Sequence, residues 1–312
     1  VARGGIGERV RAYRRRRGLS QAALAGLVGR SKSWLSQVER GVRSVDRLSV
    51  VAEMARVLNV DVQDLTGRPW QYGPNGGVDV ESLSEVRRTF TRYEHLRGTS
   101  APASVSLDTL RRAVHNGHAD YQAARHSRVV EQLPSLVVEA ERIRCQGLNS
   151  AEDERDSAFV YVLAAKLVTK FGVSDLSMLA ADRAVNVANS SESLMASGLA
   201  GYQVACALLR SDQAEDAEDL TLRLADRLTI AARPDAPSLV SAAGALWLIA
   251  AIVAARRTQR AEAWARLDQA DRLAGMLGED AIHGWTAFGP TNVAIHRVSV
   301  AVELGDAGEA VV

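Results

Sequence analysis

Between Ser20 and Gly41 the chain reads Ser-Gln-Ala-Ala-Leu-Ala-Gly-Leu-Val-Gly-Arg-Ser-Lys-Ser-Trp-Leu-Ser-Gln-Val-Glu-Arg-Gly, and no other stretch constrains its fold so tightly. Ser20 is placed to cap a helix whose apolar face is Leu24, Leu27 and Val28. Gly29 can take a positive φ at no steric cost and so permits a tight turn. Ser31 then caps a second short helix, with Leu35 and Val38 on one face and polar side chains on the other, ended by Arg40 and Gly41. The spacing predicts two short helices packed across a glycine turn, with the polar face of the second left free.

The flanks complete a small helical unit. Ile6, Val10 and Tyr13 recur at three- and four-residue steps over Ile6 to Arg17, an amphipathic helix with a basic end, Arg14 to Arg17. Gly18 stops it and Leu19 plugs the core. A fourth helix is predicted from about Asp46 to Leu58 with Leu48, Val51, Ala52, Ala55 and Leu58 on one face. Asp61 opens a short fifth helix closed by Leu65 and Gly67. The overall net charge of +1 hides an asymmetry: residues 1 to 70 hold fourteen Arg/Lys against six Asp/Glu, a net +8, which leaves −7 for the rest. Only the N-terminal unit is built to meet a polyanion, and a free polar helix on a basic unit is the geometry that enters a DNA major groove.

The order of caps, with Gly18-Leu19-Ser20-Gln21, Leu24-Ala25, Gly29, Leu35 to Gly41 and Leu58-x-Val60, resembles the phage-repressor-like (XRE-type) helix-turn-helix family over about 60 residues. The resemblance implies an all-α chain that opens with a five-helix lambda-repressor-like DNA-binding domain. It also implies that Gln21 clamps a phosphate and that Ser31, Lys32, Ser33 and Gln37 face base edges. Lysine donates to guanine O6 or N7 and glutamine bonds adenine bidentately, so Lys32 and Gln37 are the main expected readers. Arg30, Arg43 and Arg15 to Arg17 are expected on phosphates, adding affinity without sequence choice, with a merely solvated face as the alternative for Arg16 and Arg17. Trp34 replaces the usual small or polar residue, and either touches DNA or packs on the core. Arg14 and Glu39 occupy the places of a family ion pair joining the first helix to the third.

Residues 67 to 80 carry a Gly/Pro-dense run, Gly67-Arg68-Pro69-Trp70-Gln71-Tyr72-Gly73-Pro74-Asn75-Gly76-Gly77, that neither helix nor strand tolerates. The expected division is therefore 1–66 for the DNA-facing domain, 67–80 for a linker packed through Trp70 and Tyr72, and 81–312 for a helical array. Helices are predicted at about Ser82–Arg97, Leu107–Asn116, Ala119–Cys145 (kinked or split at Pro134), Asp153–Phe171, Ser174–Ala188, Glu192–Arg210, Ala214–Ile230, Ser238–Arg257, Arg260–Met276 and Pro290–Leu304. Tyr161-x-x-Ala164-Ala165, Tyr202-x-x-Ala205-Cys206 and Trp247-x-x-Ala250-Ala251 repeat at spacings of about 41 and 45 residues. Each is followed by an alanine-rich second helix. The pattern resembles a degenerate tetratricopeptide repeat, whose stacked pairs offer a concave surface.

The run His283 to Arg297 interrupts the array with two glycines and two aromatics, and Pro290 opens its helix. It looks like the C-terminal part of actinobacterial regulators that pair this helix-turn-helix with helical repeats. That helix N-terminus, next to Asn292, His296 and Arg297, could hold a carboxylate or a peptide backbone, with Trp285 and Phe288 beside it. Asn186, Tyr202, Gln203 and Trp247 are further candidate ligand contacts. The alternative is an inter-repeat loop whose aromatics fill the core.

Other chemistry is thin. His115-x-x-His118 lacks a third ligand, and no metal or other cofactor is expected. No phosphate-cradling glycine motif or nucleophile with a local base occurs, so no enzyme is expected. Cys145 and Cys206 are expected as buried thiols. No run of eighteen apolar residues goes without a charge or a break in its helix face, and no signal segment opens the chain, which predicts a cytoplasmic protein with no membrane partner. Only Lys32, Lys166 and Lys170 of the 38 basic residues are lysine, which with abundant Ala and Val suggests a high-GC bacterial genome. Val1 in place of Met, and a helix-like run from Asp306 to Ala310 at the end, suggest a trimmed chain.

The expected function is a bacterial transcriptional regulator binding double-stranded DNA. It would act as a homodimer on an inverted repeat, controlled by a small molecule or peptide in the array. In architecture it resembles the peptide-pheromone receptors of Gram-positive bacteria. Two alternatives stand beside it: a DNA-tethered scaffold whose repeats hold a protein such as a sigma factor or toxin, and an effector-free phage-type repressor whose array only oligomerises.

Overall fold

A computed structural model describes residues 5–43, 45, 48–58, 60, 62–66, 80–93, 105–145, 150–211 and 213–306. The chain divides into two compact units, Val1–Gly73 and Pro74–Val312. The expected linker over 67–79, with Trp70 and Tyr72, lies outside the described residues, as do Leu48 and Ala52 as side chains, Asp61, and the helix-like run at 307–310.

The first unit holds α1 (Ile6–Arg16), α2 (Gln21–Leu27), α3 (Lys32–Glu39), α4 (Leu48–Leu58) and α5 (Val62–Thr66). The caps sit where the side chains predicted: Ser20 Oγ accepts from Ala23 N at 3.0 Å and Ser31 Oγ from Trp34 N at 3.1 Å, each satisfying an amide left over at a helix start. Gly29 takes φ +62° between α2 and α3. Val10, Leu24, Ala25, Val28, Leu35, Met54, Leu58 and Leu65 close one core. Leu27, expected on the buried face, is 55% exposed, because the short α2 turns Ala25 inward in its place.

The second unit begins with α6 (Val80–Thr91) and continues as helix pairs: α7 (Leu107–Gln122) with α8 (His126–Cys145), α9 (Ala151–Lys170) with α10 (Ser174–Ser190), α11 (Leu194–Arg210) with α12 (Ala214–Ala231), and α13 (Pro237–Arg256) with α14 (Arg260–Leu277). Connections of three residues make the two helices of each pair antiparallel. Successive odd-numbered helices also touch, α7 on α9, α9 on α11, α11 on α13 and α13 on α15, so each pair stacks on the next as in a repeat solenoid. Tyr161, Tyr202 and Trp247 lie on the odd helices, and the alanine-rich runs lie on their even partners.

Three local expectations change. Gly117 does not end a helix: α7 runs through it, because a Cβ there would stand 2.7 Å from Leu163, and the glycine lets α7 approach α9. Pro134 does not split α8, which is continuous across it. The array is not helical throughout: β1 (Ala281–His283) and β2 (Thr286–Phe288) pair antiparallel as a hairpin, with Ile282 opposite Ala287, before α15 (Pro290–Glu303). α13 is long and apolar enough to cross a membrane by composition, yet 78% of that window is buried inside the array, as befits its central helix.

Candidate functional site

The first candidate surface is the free face of α3. Arg30, Ser31, Lys32 and Ser33 are exposed, Gln37 is half-buried, and Arg43 is exposed just beyond the helix. Ser33 and Gln37, four residues apart, share one face of α3, and Lys32 stands beside Ser33 in the exposed first turn. Leu35 and Val38, on the opposite side, are fully buried and hold the helix down. Trp34 is half-buried against the unit's core, with the Arg30 guanidinium 5.7 Å from its ring centre, so it packs inward while supporting a cation at the surface.

The orientation of α3 is set by a buried ion pair. Arg14 Nε and Nη2 donate to the two carboxylate oxygens of Glu39 at 2.5 and 2.9 Å, and Arg14 Nη1 donates to the Leu19 carbonyl at 2.7 Å. Gln21 Nε2 donates to Glu39 Oε2 at 2.8 Å, so the side chain expected on a phosphate is held, in this structure, by the same carboxylate. Burial pushes the Glu39 carboxyl up, but the hydrogen bonds from Arg14 and Gln21 outweigh it and leave it below its ordinary 4.5. Arg17 donates to the Val57 carbonyl at 3.0 Å, tying α1 to the end of α4.

Gly7 is a structural residue the spacing did not reveal. A Cβ on Gly7 would lie 2.0 Å from the Val38 carbonyl oxygen, so α1 and α3 meet backbone to backbone. Gly7→Ala is expected to destabilise this unit by about 1–3 kcal/mol through overpacking against an immovable carbonyl, read as a lower denaturation midpoint. An unchanged midpoint would show that the helices can separate freely.

The second candidate site is a cavity of about 400 Å³ in the helical unit. Its wall is made by the odd helices α7, α9, α11, α13 and α15 together with the hairpin, and no even helix contributes, which places it on the inner face of the array. Lys166 stands on the wall, with Lys170 and Arg210 at its exposed rim, and no Asp or Glu lines it. Lys166 Nζ donates to the Trp285 carbonyl at 2.8 Å. Burial lowers that ammonium to about 8 and raises the Cys206 thiol to about 11. Elsewhere in the unit buried arginines have carboxylates, Arg266 with Glu218 and Arg183 with Glu141. Lys166, Lys170 and Arg210 have none among the described residues. Gln203 is only 2% exposed, and its Nε2 has no hydrogen-bond partner; the Thr169 hydroxyl is likewise unpartnered. Both residues line this cavity, the two unpartnered atoms lying just beneath its surface.

The hairpin tip forms one end of the cavity. Gly284 and Trp285 both take positive φ, +56° and +58°, as a two-residue turn between these strands requires. For a tryptophan this backbone is strained by about 1–3 kcal/mol and persists only because the surroundings over-determine it. The indole stacks on His118 with ring centres 4.2 Å apart and meets Phe159 edge-on at 4.6 Å, while its carbonyl accepts from Gln122 Nε2 at 2.5 Å. His118, fully buried and pushed well below its ordinary value by that burial, donates Nε2–H to the Phe159 carbonyl and is a neutral platform for the indole. Phe288 anchors the hairpin base: it is 1% exposed, and its ring lies where a side chain at residue 244 would be, so only Gly244 fits beneath it.

Of the residues expected to meet a ligand, Tyr202, Gln203, Trp285, Asn292 and His296 line this cavity together. Four do not. Trp247 donates Nε1–H to Thr229 in a neighbouring helix contact, Asn186 is exposed and bonded to Asp182, Arg297 pairs with Asp268 at 3.2 Å, and Phe288 is committed to the core. The α15 N-terminus is also taken: Asp280 accepts from the Thr291 amide at 3.0 Å and from its hydroxyl at 2.5 Å, so the chain supplies its own carboxylate there. Lys166, Lys170, Thr169, Tyr121 and Arg210 were missed. Two of the only three lysines in the chain, four residues apart on an apolar helix, are the signal that pointed to them. Cys206 is half-buried in the wall as a thiol, whereas Cys145, expected buried, is exposed at the end of α8. Among the described residues no group of His, Cys, Asp and Glu has the arrangement of a metal site.

Comparison with known proteins places these features. A helix-turn-helix domain family matches residues 6–66. The HTH-type transcriptional regulator SinR of Bacillus subtilis (strain 168) is 31% identical over 86 residues, covering 28% of this chain and 78% of that protein. SinR of Bacillus licheniformis is 32% identical over 82 residues, 26% of this chain and 74% of that protein. Among solved structures, Bacillus thuringiensis PlcR in complex with the peptide PapR7 and DNA aligns over 98% of this chain and 91% of its own, with 11% identity and a TM-score of 0.41. The apo form of the competence regulator ComR from Streptococcus vestibularis aligns over 96% and 97%, with 12% identity and a TM-score of 0.34.

Proposed function

The chain belongs to the helix-turn-helix family of DNA-binding transcriptional regulators, and from that premise we propose that a small molecule or peptide, held in the cavity of the helical unit, controls how a dimer engages an inverted-repeat operator. The observation that carries the effector half is the cavity on the inner face of the array, with unpaired cations on its wall and two buried polar groups without partners. Buried polar atoms in a folded protein are almost always satisfied, so a pocket with unsatisfied ones in its wall is suited to a ligand that satisfies them.

The coupling follows from where the cavity lies. Its wall joins α7 and α9, early in the array, to the hairpin and α15 at its end. A ligand spanning that gap favours one curvature of the stacked pairs over others, and a ligand shifts a conformational equilibrium only by its difference in affinity for the two states. Two recognition helices must reach half-sites roughly 34–36 Å apart, so a change in how the arrays associate is read out as operator affinity.

In the DNA-binding unit, Lys32 and Gln37 are proposed to read bases while Arg30 and Arg43 touch phosphates. Selection of preferred sequences from a random DNA pool by the full-length protein tests this. Lys32→Ala or Gln37→Ala is expected to relax preference at one position in each half-site by about 1–3 kcal/mol. Uniform weakening on every sequence would remove both as readers. A single asymmetric site bound by one protomer would remove the dimer, and operator affinity indifferent to every cavity substitution would remove the effector.

A further inference from the structure

We propose that the molecule received by this cavity is an anion, a compound whose carboxylate is seated on Lys166 with a carbonyl or second carboxylate oxygen on Gln203. The inference rests on the effector reading and narrows it to a chemical class. The polar groups left over in the wall are mostly donors. Lys166 spends one of its three N–H bonds on the Trp285 carbonyl and keeps two, and Gln203 keeps its Nε2–H₂. Thr169, one turn further along the same face as Lys166, keeps its hydroxyl. A pocket lined by spare donors is complementary to a ligand rich in acceptors.

Charge points the same way. A half-buried ammonium without a counter-ion is costly, and burial has already weakened the hold of Lys166 on its proton. A bound carboxylate supplies the missing charge. Lys170 and Arg210 at the rim add two more positive charges along the entry path, and no acidic side chain on the wall opposes them. The α15 N-terminus, another place a carboxylate would go, is filled by Asp280, which leaves Lys166 as the cation within the wall, behind the exposed Lys170 and Arg210. The volume, about 400 Å³, suits a small acid or the last few residues of a peptide, both of which present a carboxylate next to an apolar body.

The test titrates the full-length protein with matched pairs: benzoate, indole-3-acetate and two N-acetylated tetrapeptides ending in Leu or Phe, each as free carboxylate and as primary amide. Binding is followed by thermal shift and by tryptophan fluorescence, which Trp285 in the wall makes sensitive to occupancy. At least one carboxylate is expected to bind about tenfold or more tightly than its amide, since a charge-assisted hydrogen bond is stronger than a neutral one. Lys166→Met should abolish that preference, Lys170→Met and Arg210→Met should weaken it a few-fold, and Arg223→Met, at an exposed residue of α12 outside the cavity, should leave it unchanged. The class of compound that binds separates a free small acid from a peptide end. Amides binding as well as acids, or a preference that survives Lys166→Met in a protein with unchanged helical content, would overturn the anion while leaving the cavity an effector site. No binding by any pair at millimolar concentration would overturn both.

Discussion

Replacing Arg14 with methionine is expected to cost the DNA-binding unit about 3–5 kcal/mol, because it strands the Glu39 carboxylate in a core that cannot solvate it. Glu39 is only 5% exposed and takes three hydrogen bonds, two from Arg14 and one from Gln21. Removing the cation leaves one of these to offset the burial of a charge. Chemical denaturation should show a single transition of this unit moved to much lower denaturant. The double variant Arg14→Met/Glu39→Leu should recover most of the loss, since an apolar pair of similar volume is often as stable as a buried ion pair. DNA affinity should not recover with it, because Gln21 loses the group that positions it at the start of α2.

Acid titration gives a second reading of the same pair. The Glu39 carboxyl lies below its ordinary 4.5 in the folded chain, so the folded state binds that proton less readily than the unfolded one. Its contribution is complete above about pH 4.5 and is lost as pH falls through the lower folded value. The wild type should therefore shed stability below that point by an amount the double variant does not. Equal acid slopes in the two proteins would mean that the pair contributes nothing net.

The other large effect belongs to Phe288. Truncation to alanine is expected to destabilise the helical unit by about 3–5 kcal/mol, the range for deleting a fully buried aromatic ring. The consequence for function reaches further than the cavity left behind. Phe288 pairs with Ala281 at the base of the hairpin whose tip carries Trp285, and Trp285 supplies both a wall of the ligand cavity and the carbonyl that Lys166 holds. Response to effector should vanish while DNA binding by the N-terminal unit survives. A compensation experiment isolates the contact: Gly244→Ala pushes a methyl into the ring and Phe288→Leu opens space, so each alone destabilises and the two together should cost less than their sum. Strict additivity would show that the ring and residue 244 do not share that space.

How much of this was legible beforehand differs between the two candidate sites. The recognition face was readable because everything that defines it is local: two serine caps, one turn glycine, and the alternation of Leu35 and Val38 with polar neighbours. The Arg14 and Glu39 pair was legible only through family resemblance, and Gly7 not at all, since nothing near residue 7 shows that a carbonyl from Val38 will arrive there. The cavity was half legible. Tyr202 and Gln203 were singled out on a repeat helix, and Trp285, Asn292 and His296 by the run that interrupts the array; the structure brings the five to one cavity. Trp247, Asn186 and Arg297 point into helix contacts or away from the cavity by their rotation about the helix axis, and Phe288 lies on the core side of its strand.

What the sequence determined by itself were the properties that depend on neighbours within a few residues: helix positions and caps, the repeat of aromatic and small residues, the basic N-terminal unit, and a short helix with a free polar face. The tertiary structure alone decided which side chains meet. Gln122 and Trp285 are 163 residues apart and share a hydrogen bond, and Lys166 and Trp285 are 119 apart and share another. Periodicity within one helix says which residues share a face, but not which face of a distant helix will be packed opposite. That is why the cavity, its uncompensated cations and the strained turn at Trp285 emerged only once the array had stacked.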